Sequence, residues 1–425
     1  MNYMLKEVGN NLFLARGGGG GSSSSSSGGG GHSSSSSSSS HYSSSSGGTG
    51  SSADLPWWGS MLIIFLSFGL PIIIIILIIK FGKKVGSGSI SGPPAGYIDP
   101  QKTSNEVEKK LSEQASEIFL SFQSAWSAFD IKAMKKITSP DYYKKMVLEL
   151  NVLQNYGRQN IMDNVTIHSA YILKSSDYSS EFNIYFVASA NDKLVDTKEN
   201  KTIFTDNSTF SEIWTFVAKG SDYVLNQITQ TTAAATKFNP GIAEFANTND
   251  FNYDPDFGWL MMPSRGAIFG PAGFGNADIN NHVIGYFKDK KRGEKIVEFY
   301  SYEPKAGVGL EPITIAQAIL PKNYDDILVT EKSWYDFKPK AKGLTKIETE
   351  SVEFNKKFAV WAANADKATS FELLATNFME RIYALEFEIN IEVVDNVLYL
   401  YSPSKNIQYN DMLEVLSWAF EEMKM

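Results

Sequence analysis

The chain has 425 residues, a formal net charge of −8 and no cysteine. The absence of cysteine excludes disulfide bonds, thiolate metal sites and cysteine nucleophiles. The acidic balance disfavours nucleic acid as a partner, because the chain has no basic field to neutralise phosphates.

Residues 1–56 form an N-terminal tail of low complexity. Positions 17–52 are almost entirely Gly and Ser. Such a segment is too polar to bury a core, and ordering it would cost much conformational entropy. We therefore predict that this Gly/Ser-rich tail is disordered.

An apolar run without any charge follows the tail at residues 61–79. As an α-helix rising about 1.5 Å per residue, the run spans roughly 28 Å, which is close to the hydrocarbon thickness of a bilayer. A buried core helix is the weaker interpretation, because the run holds very few polar residues. The sequence thus predicts a single transmembrane helix, which occupies 57–84 with its flanks.

Positive charge lies on only one side of this run. Lys80, Lys83 and Lys84 follow it, whereas the preceding flank carries only Asp54 nearby. Because Lys and Arg concentrate in cytoplasmic flanks, we expect a single-pass membrane protein whose C-terminal domains are cytoplasmic. The opposite orientation is the alternative. A flexible linker at 85–103 is expected to hold the next domain near the membrane surface.

A helical pattern begins near residue 104, where apolar residues recur every three or four positions. Its apolar face comprises Val107, Leu111, Ala115, Ile118, Phe122, Trp126 and Phe129. Asp130 is expected to cap a second helix, and Ser139 with Pro140 to begin a third. The residues of the third helix predicted to point inward are Tyr142, Met146, Leu150 and Leu153.

The apolar period then changes to two, which predicts β-strands. The alternating segments lie near 164–174, 181–190, 209–218 and 223–229. Helices followed by sequential strands indicate an α+β domain at 104–235, with an antiparallel sheet covered on one face by the helices.

Two segments of this domain carry a resemblance to a known family. Residues 119–130 read FLSFQSAWSAFD and residues 137–143 read ITSPDYY. Together they resemble the Tim44-like domain, over about 104–232. The resemblance implies an NTF2-like fold, in which helices pack on a curved antiparallel sheet around a hydrophobic pocket. It also implies a membrane-proximal binding or scaffolding role, linked in mitochondria to lipid contact and protein transport, and it implies no catalytic residue.

Eight aromatic side chains are candidates to line such a pocket. They are Phe119, Phe122, Trp126, Tyr143, Phe182, Tyr185, Trp214 and Phe216. The alternative is that each of them packs in an ordinary core.

A second α+β domain is predicted at 241–425. Its first part, 241–295, shows little periodicity, and strands are expected later, at 296–302, 327–330 and 358–362. Asp395 and Asn396 are expected to form the two-residue turn of a hairpin. A capping box predicts a helix that begins at Thr369. The last helix is expected to bury Met412, Val415, Leu416, Ala419, Phe420 and Met423.

Two segments of the second domain also carry a resemblance. They read EFNKKFAV at 353–360 and LLATNFMERI at 373–382. They resemble a bacterial family of unknown function found in membrane-anchored proteins, which implies no mechanism.

The chain lacks a motif typical of catalysis or of metal binding. His168 and His282 stand alone in their predicted domains, which is too few histidines for a metal site or a triad. Asp250, Asn252 and Asp254 match the first three ligand positions of a calcium loop, but Pro255 occupies the position of the required glycine. We therefore expect no catalytic, cofactor-binding or metal-binding residue.

These features together predict a membrane-anchored binding or scaffold protein rather than an enzyme. Its expected partners are the lipid bilayer, a hydrophobic ligand such as a lipid or a peptide, and proteins at the membrane. One alternative is an enzyme with a carboxylate-based site in the second domain, at Asp256 or Asp278. The other is a membrane-tethered ligand sensor.

Overall fold

The computed structural model describes residues 92–230, 238–255, 260–266, 277–289, 293–304, 312–332, 343–364, 372–403 and 407–425. All of them belong to one compact unit. The predicted tail, the predicted transmembrane helix and residues 85–91 of the linker lie outside the described residues. Within the described ranges, every helix is too short or too polar to cross a membrane.

The described part of the chain is a mixed α+β structure. Its helices are α1 (Glu106–Ser127), α2 (Ile131–Ile137), α3 (Pro140–Asn155), α4 (Pro240–Thr248), α5 (Val352–Lys357), α6 (Thr376–Tyr383) and α7 (Tyr409–Glu422). Short 3-10 helices lie at Pro100–Lys102 and Glu372–Leu374.

The strands form two sheets in which neighbouring strands are antiparallel. The first sheet contains β1 (Tyr97–Ile98), β2 (Arg158–Leu173), β3 (Glu181–Asp196), β4 (Lys201–Asp206), β5 (Thr209–Lys219) and β6 (Asp222–Gln230). The second contains β7 (Asn252–Asp254), β8 (Ala277–Asp289), β9 (Gly293–Pro304), β10 (Ile313–Ile319), β11 (Ile327–Glu331), β12 (Thr345–Ile347), β13 (Phe358–Ala362), β14 (Asn390–Val394) and β15 (Val397–Ser402).

The strand orders follow the chain closely in the first sheet and less closely in the second. The first sheet runs β1-β2-β3-β5-β6, and β4 also pairs with β3. The second runs β12-β13-β11-β14-β15-β10-β9-β8-β7. We call α1–α3 with β1–β6 the first body, and it has the predicted arrangement of helices on an antiparallel sheet.

The starts of the first three helices are fixed by side-chain caps. Asn105 accepts a hydrogen bond from the N–H of Val107, and Asp130 accepts one from Ala133. Ser139 accepts one from the N–H of Tyr142, with Pro140 at the first helical position. These bonds satisfy N–H groups that lack partners within the helix. The predicted caps at Asp130 and Ser139 are confirmed.

The inward face of α1 differs from the prediction at its first residue. Val107 is 55% exposed, whereas Leu111, Ala115 and Phe122 are buried. Val107 lies in the first turn of the helix, and the apolar stripe that packs on the sheet begins one turn later. Spacing alone therefore extends the buried face too far toward the N-terminus.

Several strands were missed or shortened by the sequence pattern. β8 lies in the region where little periodicity was expected, because a bulge between Asn280 and Val283 breaks its alternation and Asn281 adopts a φ of 57°. β2 and β3 begin or end in polar residues beyond the predicted segments. The predicted helix start at Thr369 lies outside the described residues, and α6 begins at Thr376.

Other elements of the second sheet agree with the prediction. The β14–β15 hairpin has the expected two-residue turn, since Val394 pairs with Val397 and Asp395 has a φ of 55°. β13 has the predicted bounds. The stripe predicted on the last helix is buried in α7 and at the residue that follows it.

The second sheet is covered on both faces. Ile315 and Tyr399 belong to a buried cluster that also contains the core of the first body. Their neighbours Ala316 and Leu398 belong to a second cluster, shared with α4, α6 and α7. Because successive strand residues point to opposite faces, the second sheet lies between the first body and these helices.

Candidate functional site

The predicted pocket residues mostly meet in one aromatic cluster under α1. Phe119 and Phe122 of α1 contact Trp214 of β5, with ring centroids 4.6 and 5.4 Å apart. Phe182 stacks on Phe216 at 5.0 Å. All five rings are buried. Six candidates, these five and Trp126, therefore pack against one another between the helix and the sheet.

The other two candidates lie elsewhere. Tyr185 points to the opposite face of the first sheet, where its ring contacts Tyr97 and Tyr171 at about 6 Å. Burial raises the pKa of Tyr97 to about 12. Tyr143 is half-buried at the rim of the core, with the ammonium of Lys135 over its ring. The structure thus brings together six of the eight predicted side chains.

The polar ends of the cluster are paired inside the protein. The indole N–H of Trp126 donates to Asn160 at 2.8 Å, and that of Trp214 donates to Glu212 at 3.0 Å. These bonds fix both ring planes. The rings fill the space between α1 and the first sheet. An open pocket at this place stays a prediction.

An open groove of about 510 Å³ lies at the edge of the first sheet. We call it the α1–β2 groove. Its walls are residues 167–171 of β2, residues 99–101, and the α1 residues Ser112, Glu113, Ser116 and Glu117. Glu113 and Glu117 lie one helical turn apart on the same face. Because Asp99 is paired with Lys102, the negative charge of the groove rests mainly on these two glutamates.

A distortion of β2 contributes His168 to this groove. Ile167 pairs with Ala188 and Ser169 pairs with Val187, so His168 is the extra residue of a bulge. Its Nε2 lies 2.8 Å from the Oγ of Ser189. Bulges redirect side chains and are frequent beside binding sites. No local sequence pattern indicates this groove, because its residues come from three separate segments.

The edge of β2 that borders the groove is largely unpaired. β1 pairs with Ile172 and Leu173 alone. Among the described strands, none pairs with this edge of β2 before Ile172. The described strands therefore leave backbone groups of β2 near the groove available to pair with a ligand.

A buried polar network joins the first body to the second sheet. The hydroxyl of Tyr156 donates to Glu298, and Gln317 Nε2 lies 2.8 Å from Glu298 Oε2. Tyr300 donates to Gln317 Oε1 at 3.0 Å, and His282 Nε2 lies 3.1 Å from Glu298 Oε1. The predicted lone histidine of the second domain is thus a buried structural partner of Glu298.

A buried carboxyl group on α3 lies near this network. Glu149 is 0% exposed, and neither carboxyl oxygen has a hydrogen-bond partner in the described residues. Burial, and then the charge of Asp254, raise the pKa of Glu149 well above 4.5, while Lys145 opposes them. Tyr142 lies two turns earlier on the same face, and burial raises its pKa. The sequence-based interpretation missed Glu149, although it occupies an inward position of the predicted third helix.

Neither aspartate of the enzyme alternative has a described side chain. Asp256 lies outside the described residues, and the side chain of Asp278 is not described either. Within the described ranges, no three His, Asp or Glu residues are grouped so that they could hold a metal ion.

Comparison with known proteins gives a family match for part of the chain and weak likenesses to solved structures. Residues 315–422 match the family described as "Protein of unknown function (DUF3137)". This match supports, for part of the second domain, the predicted resemblance to a family of unknown function. No curated protein matches the chain.

Two of the similar solved structures have low TM-scores. The mycobacterial trehalose monomycolate transport factor A, TtfA, is 13% identical, covers 43% of this chain and 90% of its own, and has a TM-score of 0.32. The intermembrane space region of the chloroplast protein ARC6 is 12% identical, covers 28% and 97%, and has a TM-score of 0.22. Scores this low support no conclusion about the fold or the ligand of this chain.

Proposed function

We propose that this chain is a membrane-anchored binding protein, and that it holds a basic segment of a partner protein in the α1–β2 groove. In this proposal residues 61–79 cross the bilayer and the described residues lie in the cytoplasm, where the groove faces partners near the membrane. The proposed role is binding or scaffolding rather than catalysis. The observation that carries it is an open groove with two exposed glutamates beside an unpaired strand edge.

The chemistry of the groove favours a cation. Glu113 and Glu117 can each pair with a lysine or arginine side chain, and such exposed pairs contribute about 0.2–1 kcal/mol each. The ring of Tyr171 in the same wall can add a cation–π contact of about 0.5–1 kcal/mol. The free edge of β2 offers backbone hydrogen bonds to an extended peptide. Several weak contacts together predict an affinity that falls with salt.

A test compares two charge-matched variants of the full chain in lipid nanodiscs. The double variant Glu113→Gln with Glu117→Gln removes the charge of the groove. The control, Glu244→Gln with Glu380→Gln, removes two exposed carboxylates outside it. The probe is a fluorescent lysine-rich peptide. We expect the groove variant to lose about tenfold in affinity, as two exposed ion pairs allow, and the control to bind as the parent does.

Equal affinity of the two variants would contradict the proposal, because net charge alone would then explain any binding. The absence of measurable binding to the parent chain at low salt would also contradict it.

The second candidate ligand is a hydrophobic one, held between α1 and the first sheet. The concentration of aromatic side chains there favours it, and the resemblance to the Tim44-like domain supports it. Such a ligand requires the packed rings to separate. An acyl-chain fluorophore that brightens with the full chain, and dims when Phe119→Ala is introduced into a chain that still folds, would support this candidate over the basic segment.

A further inference from the structure

The carboxyl group of Glu149 is buried where α3 meets the second sheet. Its side chain has no exposure, and within the part of the chain that the structure describes both carboxyl oxygens lack a hydrogen-bond partner. An ionised carboxylate in such a site would lose its hydration without a hydrogen bond in return, which is far more costly than burying the neutral acid. The packed arrangement therefore favours the protonated form of Glu149.

The charges around Glu149 reinforce this conclusion. On its own helix, Lys145 lowers its pKa, but Asp254 of β7 and Glu298 of β9 raise it. Other ionisable groups on the elements around α3 include Arg158, Asp163 and His168 of β2, Glu212 of β5 near Tyr142, Asp222 at the start of β6, and the lysines of α2. The guanidinium group of Arg158 donates a hydrogen bond to the carbonyl of Leu260.

We propose that Glu149 makes the packing of α3 against β7 and β9 dependent on pH. The packed state holds Glu149 protonated, and ionisation of its carboxyl group loosens α3 from the second sheet. This inference is independent of the groove and of its ligand.

The sign of the effect follows from proton linkage. The pKa of Glu149 is raised well above 4.5 in the packed state, mainly by burial. The loosened state, in which water reaches the carboxyl group, therefore releases a proton at a lower pH than the packed state does. The packed state is fully favoured below about pH 4.5, and it is weakened up to about tenfold per pH unit above that value until the raised pKa is passed.

Hydrogen exchange of the full chain in nanodiscs tests this, after correction for the intrinsic pH dependence of exchange. Between about pH 5 and about pH 8, we expect the protection of α3 to fall by up to about tenfold per pH unit. The variant Glu149→Gln keeps the shape of the side chain and removes its charge. In this variant the protection of α3 amides against exchange should not change with pH. The protection of amides in α7, which is remote from this carboxyl group, should not change with pH in either protein.

Two neighbouring variants keep the test decisive even where Glu149→Gln does not fold. Asp254→Asn removes a charge that raises the pKa of Glu149, so protection should fall less with pH. Lys145→Met removes the opposing charge, so protection should fall more. The exposed Glu380→Gln is the matched control and should follow the parent chain. Identical pH profiles for the parent, Asp254→Asn and Lys145→Met would overturn the proposal, as would an unchanged slope in Glu149→Gln.

Discussion

Two buried indole nitrogens in the first body each have one polar partner inside the protein. Trp126 bonds to Asn160, which itself donates to Asp192, and Trp214 bonds to Glu212. A buried N–H or amide oxygen left without a partner costs about 1–3 kcal/mol. These bonds therefore decide how the aromatic rings are oriented, in addition to what they gain from packing.

Trp126→Phe should lower the free energy of unfolding by about 2–4 kcal/mol, because Asn160 loses its donor inside the core and the smaller ring leaves a cavity. Denaturant unfolding of the full chain measures this change. The control is Trp361→Phe, at a half-buried position of β13, which should cost less. Equal losses for the two variants would show that the bond to Asn160 contributes nothing specific.

The sequence predicts the environment of residues whose contacts are local, but it does not predict the burial of Glu149. The spacing of Tyr142, Met146 and Leu153 identifies the inward face of α3, and Glu149 lies on that face. A glutamate in such a position is normally assigned to solvent, because carboxylates are rarely buried. Its burial depends on β7 and β9, which are distant in the sequence, so no local pattern could reveal it.

At the scale of the element, helix starts are set by neighbours in sequence. Ser139 caps α3, and its own N–H donates to the carbonyl of Leu225 in β6 at 2.8 Å. The serine therefore fixes both where α3 begins and where it meets the sheet. Local chemistry of this kind is readable from sequence, which is why this helix start was predicted correctly.

Ser139→Ala should destabilise the chain by about 1 kcal/mol, through loss of the hydrogen bond to the N–H of Tyr142. The matched control is Ser124→Ala, an exposed serine within α1, where alanine is at least as good a helix former. The difference in urea midpoint between the two variants measures the cap. If Ser124→Ala is as destabilising as Ser139→Ala, the cap is not the cause.

The elements that sequence reasoning missed have irregular or two-sided environments. β8 contains a bulge that shifts its alternation, and β10 is buried on both faces. A strand covered on both sides reads as a continuous apolar run, which cannot be distinguished by periodicity from a buried helical segment. The α1–β2 groove was missed for a related reason, since its walls are brought together only by the tertiary fold.

At the scale of the whole molecule, the two predicted domains share one buried cluster. Leu260 and Met261, which precede β8, pack with residues of the first body, and Gln317 also donates to the carbonyl of Met261. A destabilising change at this contact should therefore lower the stability of the described residues of both predicted domains together.

The predicted orientation of the chain in the membrane can be tested on intact cells. Because the lysines follow the apolar run, protease added to intact cells should remove only the Gly/Ser-rich tail. Immunodetection of a tag at the C-terminus measures this. Lysis before digestion is the control and should allow cleavage of the C-terminal part. Loss of the tag in intact cells would reverse the orientation and place the groove outside.

Mapping a bound probe decides whether the α1–β2 groove binds a basic segment. A lysine-rich peptide with a photoreactive group is mixed with the full chain in nanodiscs at low salt, irradiated, and located by mass spectrometry. We expect adducts within 99–101, 112–117 and 167–171, which disappear in the Glu113→Gln and Glu117→Gln double variant. Adducts spread over other acidic surfaces, or unchanged in that variant, would contradict it.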